Sequence, residues 1–290
     1  MDQALNALVS IVFDGLAYAM LLFIISVGLS VTMGLMGFVN LAHGAFAMLG
    51  GYVTVTLARD AGVPFLLALV LAFVVVAAVS VVFERALYAP LYRTGELDQV
   101  LMTIGLVFMS VALVTMVWGP DPFNLTPPDY LRGQVDAGFR RFPTYRVFII
   151  GAGAAMIVAL YLGFERTRIG AQIRAAVDNR RMAQSLGINV DRLFTVTFAV
   201  GSGLAALGGG LGIEIFGVKP TYALDYLVFF LIVVAVGGLG SVRGAFVAAL
   251  LLGVIDNAGK YFFPEGGAFF VYVVTIIVLL WRPLGLFGKA

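Results

Sequence analysis

Residues 8–33, LVSIVFDGLAYAMLLFIISVGLSVTM, hold one charged residue, Asp14, in 26 positions. A helix of about 20 apolar residues crosses a hydrocarbon core about 30 Å thick, so this run is long enough to span a bilayer. Comparable apolar segments follow at 41–58, 64–83, 100–118, 146–164, 193–216, 226–239, 245–254 and 269–281. The pattern predicts an all-α, polytopic transmembrane helical bundle of eight or nine spans, one domain over residues 1–290. The seventh and eighth segments are short, with Gly237-Gly238-Leu239-Gly240 between them, so they are either two crossings or one broken helix that re-enters the protein.

Composition supports this. The chain is 61% hydrophobic and 12% charged, with a mean hydropathy of +1.04, against roughly 45–50% and 25% in an ordinary soluble domain. It cannot cover itself with polar surface, and lipid is its solvent. With no cysteine and one histidine, His43, a disulfide framework, a thiolate metal site and a multi-histidine site are all excluded. A net charge of +2 with scattered basic residues gives no nucleic-acid footprint. The first ten residues lack Lys and Arg, so the opening run is expected to be a span rather than a secretory signal.

Orientation follows from arginine. The stretch at about 165–192 carries Arg166, Arg168, Arg174, Arg180, Arg181 and Arg192 against Glu165, Asp178 and Asp191, and the positive-inside rule assigns it to the cytoplasm. The segment 84–98, with Arg85 and Arg93, falls on the same side two spans earlier. Between them, about 119–143 is expected to be an external loop, rich in Pro and Asp.

Within 165–192, Ile169, Ile173 and Val177 share one helical face, and Met182 and Leu186 mark a second short helix. Asp178 is expected to cap that helix, and Gly187 to end it in a left-handed conformation closed by Ile188. Two short helices in an L, with basic residues alternating with small ones, suit a docking element better than a solvated loop or one resting on headgroups.

Charges in and around the apolar segments sit within a turn or two of a span boundary: Asp14, Glu214, Asp225, Asp256 and Lys260, the last two spaced to pair at i,i+4. No span centre carries an acidic group, which disfavours proton- or sodium-coupled transport. Neither Gly-Lys pair is followed by Ser or Thr, so there is no Walker A loop, and any ATPase must be a separate subunit. Val200-Gly201-Ser202-Gly203 superficially resembles a nucleophile turn, but it lacks a partnering base nearby, and Ser202 is expected to be a packing residue. The 35 glycines cluster inside apolar segments, either for close helix packing or to break helices along a pathway. Gly37 and His43-Gly44-Ala45-Phe46 echo Gly237 and Arg243-Gly244-Ala245-Phe246 at an offset of 200 residues.

Residues 37–52, GFVNLAHGAFAMLGGY, resemble the first signature of the LivH-type permease of branched-chain amino acid ABC importers, a hydrophobic amino acid uptake family. Three further segments are similar to that family in the same order: Thr167-Arg168-Ile169-Gly170 through Leu186-Gly187-Ile188-Asn189, then Gly237-Gly238-Leu239-Gly240-Ser241, then Arg282-Pro283-Leu284-Gly285-Leu286-Phe287-Gly288. The resemblance implies a bacterial inner-membrane permease subunit, not itself an enzyme, that translocates branched-chain amino acids delivered by a periplasmic solute-binding protein. It implies a homologous LivM-type second permease subunit and two cytoplasmic ATPase subunits. No cofactor is expected in this chain, with ATP and Mg held on those partners. A urea or short-chain amide importer permease is the alternative within the family, and a passive channel the alternative outside it. By their placement at helix breaks, Asn40, His43, Gly37, Gly44, Gly237 and Gly240 are candidates for the translocation pathway, with His43 equally readable as a hydrogen-bonded helix-end residue. Gly170, Arg174, Ala175, Asp178, Leu186 and Gly187 are candidates for the ATPase-coupling loop.

Overall fold

The computed structural model describes residues 2–37, 39–92, 94–136, 138 and 140–288, with side chains described from residue 5 onward. Phe38 and Arg93, quoted above, lie outside these residues. The chain is mostly helical: α1 Asp2–Met36, α2 His43–Val55, α3 Phe65–Phe83, α4 Ala89–Leu91, α5 Glu96–Trp118, α6 Thr144–Arg166, α7 Arg168–Asp178, α8 Arg180–Ser185, α9 Val190–Leu211, α10 Ile213–Phe216, α11 Tyr222–Gly237, α12 Val242–Phe262 and α13 Phe269–Trp281. A short antiparallel pair, β1 Gln134–Asp136 and β2 Arg141–Pro143, lies in the loop before α6.

Among the described residues, six helices are long and apolar enough to cross a membrane, while α11 and α13 are apolar but shorter. Two segments differ from expectation. The one read as 245–254 is the middle of the 21-residue α12, whose polar ends hid its length. The stretch 84–98, expected as a loop, continues α3 as a helix through a π turn at Glu84–Tyr88 to Leu91. Glu84 survives there because its carboxylate accepts hydrogen bonds from the Tyr92 hydroxyl at 2.8 Å and the Thr195 hydroxyl at 2.9 Å; a buried charge needs such partners.

α1 and α9 form the centre. They cross at Gly28 and Gly201, so closely that a Cβ on Gly28 would sit 2.7 Å from the Gly201 Cα. In lipid, where no hydrophobic force draws helices together, such close backbone contact is the main source of packing energy. α12 runs antiparallel to α1, with Gly15 against Val254 and Gly34 against Gly240. α3 runs antiparallel to α9, with Leu69 near Gly210 and Glu84 bonded to Thr195.

Two ends result. The arginine-rich end gathers α7, α8, the C-terminal end of α1 and the start of α9, where Val31, Leu35, Ile173, Ala176, Ala183 and Phe194 form a small core of their own. The chain's last described residues also lie near α11's C-terminal end, where the Leu286 and Phe287 N–H groups donate to the Val236 and Gly237 carbonyls at 2.7 and 3.1 Å. Those carbonyls would otherwise lack helical partners. At the opposite end, Arg140 donates to the Asn6 carbonyl, Phe123 bridges Val218, and the Trp118 indole donates to Thr56 at 2.8 Å. The stretches 84–92 and 165–192 therefore share one end, and the described residues of 119–143 lie at the other.

Candidate functional site

The first helix break lies between α1 and α2. Gly37 ends α1 with φ +75°, a conformation open to glycine, and its N–H donates to Met33 O at 2.9 Å. The chain then turns back into the protein rather than across its surface: Asn40 and Ala42 are fully buried. His43, the first residue of α2, places Nε2 2.9 Å from the Ile25 carbonyl. A carbonyl only accepts, so Nε2 carries the proton. Ile25 lies eleven residues before Met36, about 16 Å along the helix, so α2 starts deep beside α1. Asn40 Oδ1 accepts from the Ala42 N–H at 3.1 Å and the Tyr88 hydroxyl at 3.0 Å, holding the re-entrant turn to the π segment after α3. Gly44 then packs on Ala223 at the start of α11.

The second break lies between α11 and α12. Gly237, the last residue of α11, packs against the Gly244 backbone, and Gly240, at φ +74°, donates its N–H to Ser30 O at 3.0 Å. Ser241 caps α12 through the Gly244 N–H. The two breaks are the two members of the echo seen in the sequence, and both are anchored on α1 carbonyls. In this structure Asn40 and His43 are hydrogen-bonded elements of a re-entrant turn, and the helix-end reading of His43 is the one the geometry matches.

The coupling-loop candidates come together at the arginine-rich end. Thr167 caps α7, accepting from the Gly170 N–H at 3.0 Å, and Gly170 sits so tightly on Phe164 that a Cβ would overlap its backbone. Ile173 and Ala176 pack inward, while Ile169, expected on the same buried face, is exposed. The cap of α8 is Asn179, which accepts from the Met182 N–H at 3.0 Å, not Asp178, which is the last residue of α7. Both residues can cap, and the helix boundary falls one residue later than expected. Gly187 stands at φ +83°, and the Ile188 N–H to Ala183 O and Gly187 N–H to Gln184 O bonds complete the expected helix stop. Arg174 is exposed and Ala175 half-buried. Met182 and Leu186 are 59% and 74% exposed, an apolar pair on an otherwise basic surface. Beside α7, an apolar cavity of 270 Å³ joins Ile169, Gly170 and Ile173 to Gly28 and Gly201 at the α1–α9 crossing.

Sequence reasoning did not foresee the burial of two acids. Glu84 ties the arginine-rich end of α3 to α9, and Asp256, 2% exposed, is paired with Lys260 at 2.5 Å at the other end. The i,i+4 spacing announced the second pair, but not its burial.

Residues 11–279 match the model of a family described as the branched-chain amino acid transport system permease component. The chain belongs to this permease family. Its curated relatives include the high-affinity branched-chain amino acid transport permease LivH of Escherichia coli, 28% identical over 96% of this chain and 94% of its own. BraD of Pseudomonas aeruginosa is 27% identical over 95% and 94%. LivM of Salmonella typhimurium is 25% identical over 92% of this permease and 68% of its own length. A chain of the PsaBC structure from Streptococcus pneumoniae, solved in complex with Fab, matches with TM-score 0.51 at 13% identity, over 92% of this permease and 89% of that chain. At that identity the likeness is one of fold. The permease is thus a multi-pass inner-membrane transport component, and its relatives are transporter subunits rather than enzymes.

Proposed function

We propose that this permease is the membrane subunit of an ATP-binding cassette importer that moves branched-chain amino acids, with α7 and α8 as its coupling element. A longer homologous subunit of the LivM type completes the path. Two cytoplasmic ATPase subunits hold ATP and Mg, and a periplasmic binding protein delivers the solute. The six long helices cross the membrane fully, and α2, α11 and α13 complete nine crossings in part. The observation that carries the coupling reading is the exposed Met182–Leu186 pair along and just past a helix that Ala183 packs onto the bundle. Apolar side chains held out in this way gain about 1.5–3 kcal/mol each when a partner covers them. The cavity behind α7 leaves room for a displacement at the loop to reach the α1–α9 crossing.

Co-purification tests this. Leu186→Glu replaces an exposed residue and should leave the fold intact while stripping ATPase subunits from the complex. Ala175→Glu, which adds bulk and charge at a half-buried position, should lower solute-stimulated ATP hydrolysis in liposomes. Stoichiometric ATPase and wild-type hydrolysis in both variants would remove α7 and α8 from the coupling role. Orientation is checked separately, because the cysteine-free chain permits clean labelling. An impermeant thiol reagent should label Asp129→Cys in intact cells and spare Asn179→Cys; the reverse would invert the topology.

A further inference from the structure

At the end opposite the coupling helices, five elements enclose a polar cavity of 230 Å³. α1 contributes Asp14, α6 Arg146, α10 Phe216, α11 Tyr226, and α12 Asp256 and Lys260. The charges come as two pairs. Arg146 binds Asp14, and Lys260 binds Asp256 Oδ2 at 2.5 Å. The pocket is graded in depth: the Lys260 side chain is 54% exposed, Arg146 and Asp14 about a third, and Asp256 only 2%. The second carboxylate oxygen of Asp256, Oδ1, is buried and has no hydrogen-bond partner.

A buried carboxylate oxygen without a donor is costly, and its burial calls for a cationic or N–H donor at the pocket floor. A simple cation is disfavoured, because two acids and two bases already balance, and one added charge would go uncompensated in a partly dehydrated site. A zwitterion keeps the balance. Its ammonium can pair with the Asp256 carboxylate at the pocket wall, while its carboxylate meets Arg146 and Lys260, both of which have donors to spare. Phe216 and Tyr226 offer an aromatic wall to an apolar side chain. At 230 Å³ the cavity lies below the ~300–1,000 Å³ typical of drug-sized ligands and suits a molecule as small as one amino acid.

We propose that this cavity binds a free α-amino acid by its zwitterionic head, as an external-side station for the transported solute. The proposal rests on the amino acid importer reading and adds to it a place and a mode of recognition.

The test uses the full-length chain, purified with the subunits that accompany it, and measures binding of tritiated L-leucine. Wild type should bind leucine saturably, and it should reject both N-acetyl-leucine, which lacks the ammonium, and leucine methyl ester, which lacks the carboxylate. Asp256→Asn gives the pocket one excess positive charge. It should weaken leucine at least tenfold while admitting the anionic N-acetyl-leucine. Arg146→Gln does the opposite, weakening leucine and admitting the cationic methyl ester. This exchange of preferences would not arise from a general loss of structure. Should either variant fold poorly, the analogue series on wild type still decides. Equal binding of leucine and its two blocked analogues would overturn the proposal, as would displacement by O-phosphoethanolamine as effective as leucine, which would assign the site to a lipid headgroup. Leucine uptake, measured in parallel in membrane vesicles, separates the two claims. Intact ATP-dependent uptake with unchanged binding in both variants removes this site and leaves the importer reading standing; absence of leucine uptake in wild type removes both.

Discussion

α6 and α9 are nearly equal in length, 23 and 22 residues, and both are apolar enough to cross a membrane, yet 72% of the apolar stretch of α9 is buried in protein against 11% in α6. α6 is the more hydrophobic of the two and the less enclosed. In a bilayer this inversion is expected: the most apolar helix is content against lipid, while a helix surrounded by others needs small residues for close approach. Hydropathy therefore finds spans, and glycine distinguishes central spans from peripheral ones. α9 meets α2 at Ala47 and Gly209, and α1 at Gly28 and Gly201, backbone against backbone. On α6, Gly151 has no atom within 4 Å of where a Cβ would stand.

The largest test of this contrast is a matched pair of substitutions. A side chain on Gly209 would overlap the Ala47 carbonyl oxygen, which is backbone and cannot swing aside. Gly209→Val should cost more than the ~1–3 kcal/mol of ordinary overpacking and should leave little folded permease by fluorescence-detected size exclusion. Gly151→Val, in open space, should match wild type in yield and melting temperature. A severe effect of Gly151→Val on transport alone would show that the outer face of α6 meets a partner subunit rather than lipid.

The same contrast explains how much was legible in the chain itself. The long runs of α1, α5, α6 and α9 and the Gly187 stop are local features, and the structure has them close to where composition and spacing put them. Non-local features were not legible. The His43 ring is held by Ile25, eighteen positions earlier, and its hydrogen-bonded role depends on α2 starting deep beside α1, which no run of hydropathy encodes. Glu84 looked like the first residue of a loop because its partners, Tyr92 and Thr195, come from its own continued helix and from α9. Asp178 and Asn179 differ as caps by one position of helix phase, which spacing alone leaves open. For Asn40 and His43, the sequence located the break, and the fold buried their side chains.

An intermediate effect is expected where α6 does touch the centre. Near the start of α6, Tyr145 is buried and its hydroxyl donates to the Leu211 carbonyl at 2.8 Å, at the last residue of α9. Tyr145→Phe keeps the ring and removes the donor, leaving a helix-end carbonyl unpaired at a cost of about 1–3 kcal/mol. A drop in melting temperature smaller than that of Gly209→Val and larger than that of Gly151→Val would place the α6–α9 contact between the two extremes. No drop at all would mean that α6 is held only by packing of its other buried residues, Ile149 and Gly153.

The smallest effect should come from α9 itself. Ser202 stands between two glycines and is buried, and its hydroxyl has no hydrogen-bond partner. A nucleophile needs a base within about 2.6–3.2 Å, and the single histidine is already committed to Ile25. Ser202 then serves as a small spacer between Gly201 and Gly203, and alanine fills that role without an unsatisfied polar atom. Ser202→Ala should be neutral or stabilising by up to about 1 kcal/mol, with uptake unchanged. Bulk is the sensitive variable here, so Ser202→Leu should be far more damaging than Ser202→Ala, although both remove the hydroxyl. If Ser202→Ala abolished uptake while melting like wild type, the hydroxyl would be touching solute or another subunit during transport, and the centre of the bundle would be part of the path as well as its scaffold.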